Sequence, residues 1–300
     1  LGHFEAAIES AGQALKFQPD DLHLWNLQAF GLWKLDKHAE ALDSIDSALA
    51  IAPDSFQALC TRGLVLGALG RFQEARDSFD RALEVQIDDL CALYNQAILL
   101  RRLGLLDSAM GYLDRATIKY PAAYKVWVLR GLILWELERV GEAVQSLDRA
   151  LMLQFNHPKV WQYRGNILDS AQRHNEAIGS YLRSLMLEPY NSEGWVELGL
   201  ALQNSGRYVE AIVSFDKALG IEPDNAAVFY QEACCYARQQ NVEWALEHLR
   251  RAIALAPEYR QTARSDRDFD SLRQEARFQD LINRSVVRGS SPHAALSLKA

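Results

Sequence analysis

The sequence predicts an all-α fold in which one helical hairpin is copied along the chain. Ala7, Ala41, Ala75, Ala109, Ala143, Ala177, Ala211 and Ala245 stand 34 residues apart without a slip, and a fixed period of this length marks a repeat architecture. Within each period, apolar residues recur at helical spacing on two separate stretches. Prolines return at one phase of the period, near the end of the second stretch.

Each repeat is numbered from 1 to 34 with the recurring alanine at position 20. Position 4 reads Trp25, Leu59, Leu93, Trp127, Trp161, Trp195 and Phe229. Position 8 is always glycine or alanine, and position 11 is leucine in every repeat except the last, where it is Tyr236. These three positions share one face of a helix, so the first half of each repeat is an amphipathic helix of about 14 residues. In the second half, position 24 is large (Ile45, Phe79, Leu113, Leu147, Tyr181, Phe215, Leu249) and position 27 is alanine or serine. Small residues at 8, 20 and 27 let helix axes approach within about 8 Å. Large ones at 4, 11 and 24 fill the remaining space.

The breaks are periodic as well. Gly70, Gly104 and Gly206 at position 15 suit a tight interhelix turn, whose left-handed backbone glycine adopts without strain. Pro19, Pro53, Pro121, Pro189, Pro223 and Pro257 at position 32 are expected to end the second helix, because proline lacks an N–H and clashes with the preceding turn. Ile87 and Phe155 replace that proline, which predicts smoother junctions there. Asp54, Asp88 and Asp224 are expected to cap the following helix.

With these residues in view, the chain resembles the tetratricopeptide repeat family over about residues 1–257, in eight in-phase copies. The RNA-binding pentatricopeptide family differs by a 35-residue period and a basic surface. The resemblance implies a right-handed superhelical solenoid of antiparallel helix pairs with a concave inner groove, each repeat stabilised by its neighbours. The expected organisation is a solenoid over 1–257, with a partial first repeat at 1–21 and seven full repeats over 22–257. Capping helices follow over 258–285, then a flexible tail over 286–300.

At the start, a helix over about Glu5–Phe17 lacks its partner, so the expectation is that the native polypeptide extends upstream or that a boundary cuts through a repeat. At the other end, Phe269, Leu272 and Phe278 are expected to cover the last repeat, since an uncapped solenoid leaves an apolar face in water. An unstructured segment is the alternative for Arg260–Ser285.

Composition narrows the function. A net charge of −7 argues against a nucleic-acid partner, because phosphate binding goes with a basic surface. No apolar run approaches the ~18 residues of a membrane span, so direct membrane insertion is not expected. Four cysteines without metal spacing or a disulfide framework point to a reducing, cytoplasmic compartment.

Chemistry is expected to be absent. There is no P-loop, nucleophile elbow, zinc-protease helix or dinucleotide fingerprint. The seven histidines are scattered, so no metal, cofactor or catalytic residue is assigned. Cys234 and Cys235 read as small apolar packers.

Positions 2, 5, 9, 12 and 13 cluster opposite 4, 8 and 11 on the first helix. In the family this face lines the concave surface and holds peptides. In the amino-terminal half it gathers Asn26, Phe30, Trp33, Lys34, Tyr94, Arg101, Arg102, Lys125 and Trp135, with Asn95 beside it at position 6. Aromatic and arginine side chains are the types that most often carry interface energy. The cationic excess predicts a protein or peptide ligand with acidic and apolar side chains. The chaperone-peptide carboxylate clamp of the family is incomplete, because Cys60, Leu64 and Leu129 occupy its positions.

The leading function is a non-catalytic protein-interaction scaffold. The alternative is a regulatory or substrate-recruiting domain of a larger enzyme.

Overall fold

The computed structural model describes residues 2–283; the expectations for Leu1, the end of the cap and the tail 286–300 lie outside the described residues. Among the described residues there are seventeen α-helices, one short 3-10 helix and no strand. The helices are α1 (Gly2–Leu15), α2 (Leu22–Lys34), α3 (His38–Ile51), α4 (Phe56–Ala68), α5 (Phe72–Val85) and α6 (Leu90–Arg102). Then come α7 (Leu106–Lys119), α8 (Tyr124–Glu136), α9 (Val140–Leu153), α10 (Pro158–Ser170), α11 (His174–Leu187) and α12 (Ser192–Asn204). The last are α13 (Tyr208–Ile221), α14 (Ala226–Arg238), α15 (Val242–Leu255), α16 (Tyr259–Ser265), the 3-10 helix Arg267–Leu272 and α17 (Ala276–Asn283).

The chain divides into two compact units, Leu1–Ile167 and Leu168–Ala300. In the first unit, α2 pairs with α3, α4 with α5, α6 with α7 and α8 with α9. The second helices α3, α5 and α7 also pack on the next first helix, and the first helices α2, α4, α6 and α8 touch in succession. In the second unit the same pattern runs from α11 to α15, and the 3-10 helix packs on α14. This is the stacked-hairpin solenoid that the period predicts.

The core follows the repeat positions. All seven alanines at position 20 from Ala41 to Ala245 are fully buried, and Ala7 is half-buried. Position 8 is small because position 24 lies against it: a Cβ on Gly63 would come within 2.6 Å of the Phe79 ring. Where position 8 is Ala29 or Ala97, position 24 is the slimmer Ile45 or Leu113.

The tryptophans at position 4 add a directional contact. The indole N–H of Trp25 donates to the Pro19 carbonyl at 2.7 Å, Trp127 to Pro121 at 3.0 Å and Trp195 to Pro189 at 2.8 Å. Trp161 donates in the same way to Phe155, at 3.0 Å. The acceptor is a backbone oxygen, so replacing proline leaves the bond intact.

Two local expectations need correction. The second helix ends at position 30 in every full repeat: α5 stops at Val85 and α9 at Leu153, just as α3 stops at Ile51. Proline at 32 therefore does not set the helix end, and the Ile87 and Phe155 junctions are no smoother. At Ile87 the neighbouring Asp88 even turns left-handed, with φ 57°. The linker must swing the chain onto the next first helix in every repeat, and that packing demand fixes where the helix stops.

The caps also sit one residue later than expected. Asp21, Ser55, Asp89, Asn191 and Asn225, all at position 34, accept backbone N–H bonds at the helix start. Only the residue directly before the helix reaches those N–H groups. Asp54 and Asp88 face Arg81 at 3.5 Å and Arg115 at 2.6 Å instead. Finally, the interhelix turn is left-handed at position 15 in all seven full repeats, including Asp36, Glu138, Gln172 and Gln240.

Candidate functional site

In the first unit, the starts and ends of successive first helices enclose a cavity of about 700 Å³. Phe30, Trp33 and Lys34 enter from the end of α2, and Leu64 from α4. Asp89, Cys91, Tyr94 and Asn95 come from the start of α6, with Tyr124, Lys125 and Val126 from the start of α8. Six of the ten residues expected at the groove thus share one cavity. An adjoining cavity of about 470 Å³ holds Arg101 and Arg102, with Tyr94 common to both.

Phe30 and Trp33, three residues apart on α2, meet at 5.6 Å between ring centres. The Lys34 ammonium lies 4.2 Å from the Trp33 ring centre and 5.3 Å from that of Phe30. This is a cation–π arrangement at the cavity wall. Burial raises the Tyr94 phenol above its ordinary pKa, and the neighbouring Tyr124 adds to the shift. Tyr94 is therefore a neutral hydroxyl donor at any physiological pH. Asp89 is committed to capping α6 through the N–H groups of Cys91 and Ala92. Asn95 is tied to its own helix, donating to the Cys91 carbonyl at 2.8 Å.

Three of the expected residues are placed differently. Asn26 is 3% exposed, so it cannot present its amide to a ligand. Position 5 of α2 is sealed where position 5 of α6 is open. Arg101 is not a free cation: its Nε donates to Glu136 at 2.8 Å, across two successive first helices. Trp135 is 36% exposed but lines neither cavity. The cations left without an acidic partner among the described residues of this face are Lys34, Arg102 and Lys125.

The helical wheel missed Tyr124 and Val126. Tyr124 is at position 1, only about 40° round the helix from position 5. Extending the wheel to the first residue of each helix finds it.

The second unit holds two polar clusters of a different kind. Position 7 carries an arginine in three repeats of the first unit, bonded to the preceding repeat: Arg62 to Asp46 at 2.8 Å, Arg130 to Asp114 at 3.1 Å and Arg164 to Asp148 at 2.7 Å. In the last repeat position 7 is Glu232, fully buried and 2.6 Å from His248 Nδ1. Burial raises its carboxyl pKa, His248 opposes the shift, and Asp216 adds to it. With no solvent access, it is a core pair.

The other cluster is Cys234, Asp266 and Asp268, the one group of three metal-capable side chains close together among the described residues. Both Asp266 oxygens already accept hydrogen bonds. Tyr230 donates its hydroxyl to Asp266 Oδ2 at 2.6 Å, and Asp266 Oδ1 accepts the Asp268 N–H. All four thiols are shifted upwards, chiefly by burial, Cys60 and Cys235 to about 12. None is an activated thiolate.

The cap packs as its apolar spacing predicts. Phe269, Leu272, Phe278 and Ile282 are buried in one cluster with Phe229, Tyr230, Leu249 and Ile253. No helix among the described residues is long and apolar enough to cross a membrane.

Comparison with known proteins agrees with this architecture. A family model described as Tetratricopeptide repeat matches residues 1–56, 60–123 and 94–160, and a second of the same description matches 202–265. Among solved structures, YrrB, described as a tetratricopeptide repeat protein with an unusual peptide-binding site, is 26% identical. The match covers 61% of this chain and 94% of YrrB, with a TM-score of 0.55. The C-terminal part of a repeat protein from Cytophaga hutchinsonii is 16% identical over 76% of this chain and 94% of its own, with a TM-score of 0.67. A repeat protein from Parabacteroides merdae is 17% identical over 78% and 93%, with a TM-score of 0.58. Among curated proteins no relative matches.

Proposed function

Since this chain belongs to the tetratricopeptide repeat family, we propose that it is a non-catalytic interaction scaffold whose first unit holds a peptide segment of a partner protein. The observation that carries this reading is the cavity of about 700 Å³ bounded by α2, α4, α6 and α8. Its lining pairs aromatic rings with cations that form no ion pair among the described residues, so it suits a ligand with apolar and acidic side chains. Ligand sites combine an apolar body with a few placed polar groups in this way. The peptide-binding site of the structurally similar YrrB supports the same class of ligand.

The test is selection of binders from a random peptide library on the intact chain, followed by titration of the selected peptides. Replacing Trp33→Ala and Lys34→Ala together is expected to weaken them by roughly tenfold or more, with the circular dichroism spectrum unchanged. Undiminished binding by that variant would remove the groove from this role.

A further inference from the structure

In the last repeat the groove positions are already filled, by the chain itself. In each of the other six full repeats, positions 9 and 12 are partly or fully exposed. In the last, Cys234 and Ala237 at those positions are each 1% exposed. The segment covering them begins at Asp266 and continues through the 3-10 helix Arg267–Leu272, which packs on α14.

Its contacts divide the work between two residues of α14. Tyr230, at position 5, donates to the Asp266 carboxylate at 2.6 Å and meets the Phe269 ring edge-on at 5.7 Å. Arg238, at position 13, stands 3.9 Å from the Asp268 carboxylate. The Ser271 hydroxyl then donates to the Ala237 carbonyl at 3.4 Å. One tyrosine and one arginine, eight residues apart on a first helix, thus receive a segment reading acid, any residue, acid, aromatic.

Tyrosine at 5 and arginine at 13 occur together in one other full repeat, as Tyr94 and Arg102 on α6. The same helix positions set the same spacing, about 12 Å along the axis. There the pair is uncovered: Tyr94 is half-buried and Arg102 exposed, both lining the cavities of the first unit. Arg101, beside them, is neutralised by Glu136, and Lys125 adds positive charge at the rim.

We infer that Tyr94 and Arg102 take from a partner protein a segment of the kind the chain uses on its own last repeat: two acidic residues separated by one, followed directly by an aromatic. The inference rests on the groove reading and narrows it. The Tyr94 hydroxyl and the Arg102 guanidinium each receive one carboxylate, and the aromatic ring enters the cavity beside Trp33 and Tyr124.

The probe is a blocked peptide copying residues 265–271, Ser-Asp-Arg-Asp-Phe-Asp-Ser, titrated calorimetrically onto the intact chain. Saturable binding at one equivalent is expected, weakened roughly tenfold by Tyr94→Phe and again by Arg102→Gln, as loss of a hydrogen bond to a charged group predicts. Exchanging the first two aspartates of the peptide for asparagine is expected to weaken it likewise. No saturable binding, or binding that both protein variants leave intact, overturns the inference. Library peptides that depend on Trp33 and Lys34 yet carry no acid pair ahead of an aromatic also overturn it, while leaving the groove reading standing.

Discussion

At position 15 the backbone turns left-handed in every full repeat, whichever residue stands there. The turn is closed by two bonds: the Lys37 N–H reaches the Leu32 carbonyl at 3.0 Å and the Asp36 N–H reaches Trp33 at 3.1 Å, with equivalents down the chain. This helix-ending motif requires a positive φ at its turning residue. Gly70, Gly104 and Gly206 adopt it freely, whereas Asp36, Glu138, Gln172 and Gln240 are held there against a steric cost. The Glu138 side chain is exposed, and no described ion pair depends on it. Glu138→Gly is therefore expected to raise the stability of the first unit by about 1 kcal/mol, read as a higher midpoint in urea denaturation. A lower midpoint would mean that the turn is not strained.

For a helix pair, the decisive fit is between position 8 of the first helix and position 24 of the second. Gly63 lies under Phe79, so a methyl group added there meets the ring at 2.6 Å. The ring is 2% exposed, and something must shift to admit the methyl. Gly63→Ala is expected to destabilise the α4–α5 pair by about 1–3 kcal/mol through overpacking. Intrinsic helix propensity pulls the other way, since alanine is the better helix former. The sign of the change in denaturation midpoint thus decides which term wins, and an increase would refute close packing at this pair. Electrostatics at this scale is weaker. The Arg–Glu pairs at positions 16 and 19, such as Arg71 with Glu74 and Arg207 with Glu210, join the turn to the start of the second helix. Their carboxyl pKa values are lowered, chiefly by the hydrogen bond from arginine, so whatever they add is lost as pH falls. Both partners are exposed, which keeps the contribution small.

Within each unit, the repeats among the described residues pack on their neighbours in sequence, so a local defect is expected to stay local. Phe269 tests this, being fully buried where the cap meets α14. Phe269→Ala is expected to cost about 3–5 kcal/mol in its own surroundings. Backbone hydrogen exchange should then quicken in α14, α15 and the cap, and stay unchanged in α2 to α5. Equal loss of protection in both regions would show that stability is shared by the whole chain. The same experiment bears on the last repeat's groove, because removing the ring also loosens the segment that covers Cys234 and Ala237.

The 34-residue period by itself determined the helix order, the buried face of each helix and the identity of most core residues. Burial on one helix depends on a wheel that any single repeat displays, and the other copies confirm its phase. The same wheel pointed to Phe30, Trp33, Lys34, Tyr94 and Lys125, which do share a cavity. Tertiary structure alone decided that Asn26 is sealed, that Arg101 is neutralised by a glutamate 35 residues away, and that Asp266 and Asp268 lie across α14. These outcomes depend on the sideways offset between neighbouring helices and on where a non-repeating segment folds back. A periodic pattern records which face of a helix is apolar; it carries no record of which side chain on the next helix stands opposite.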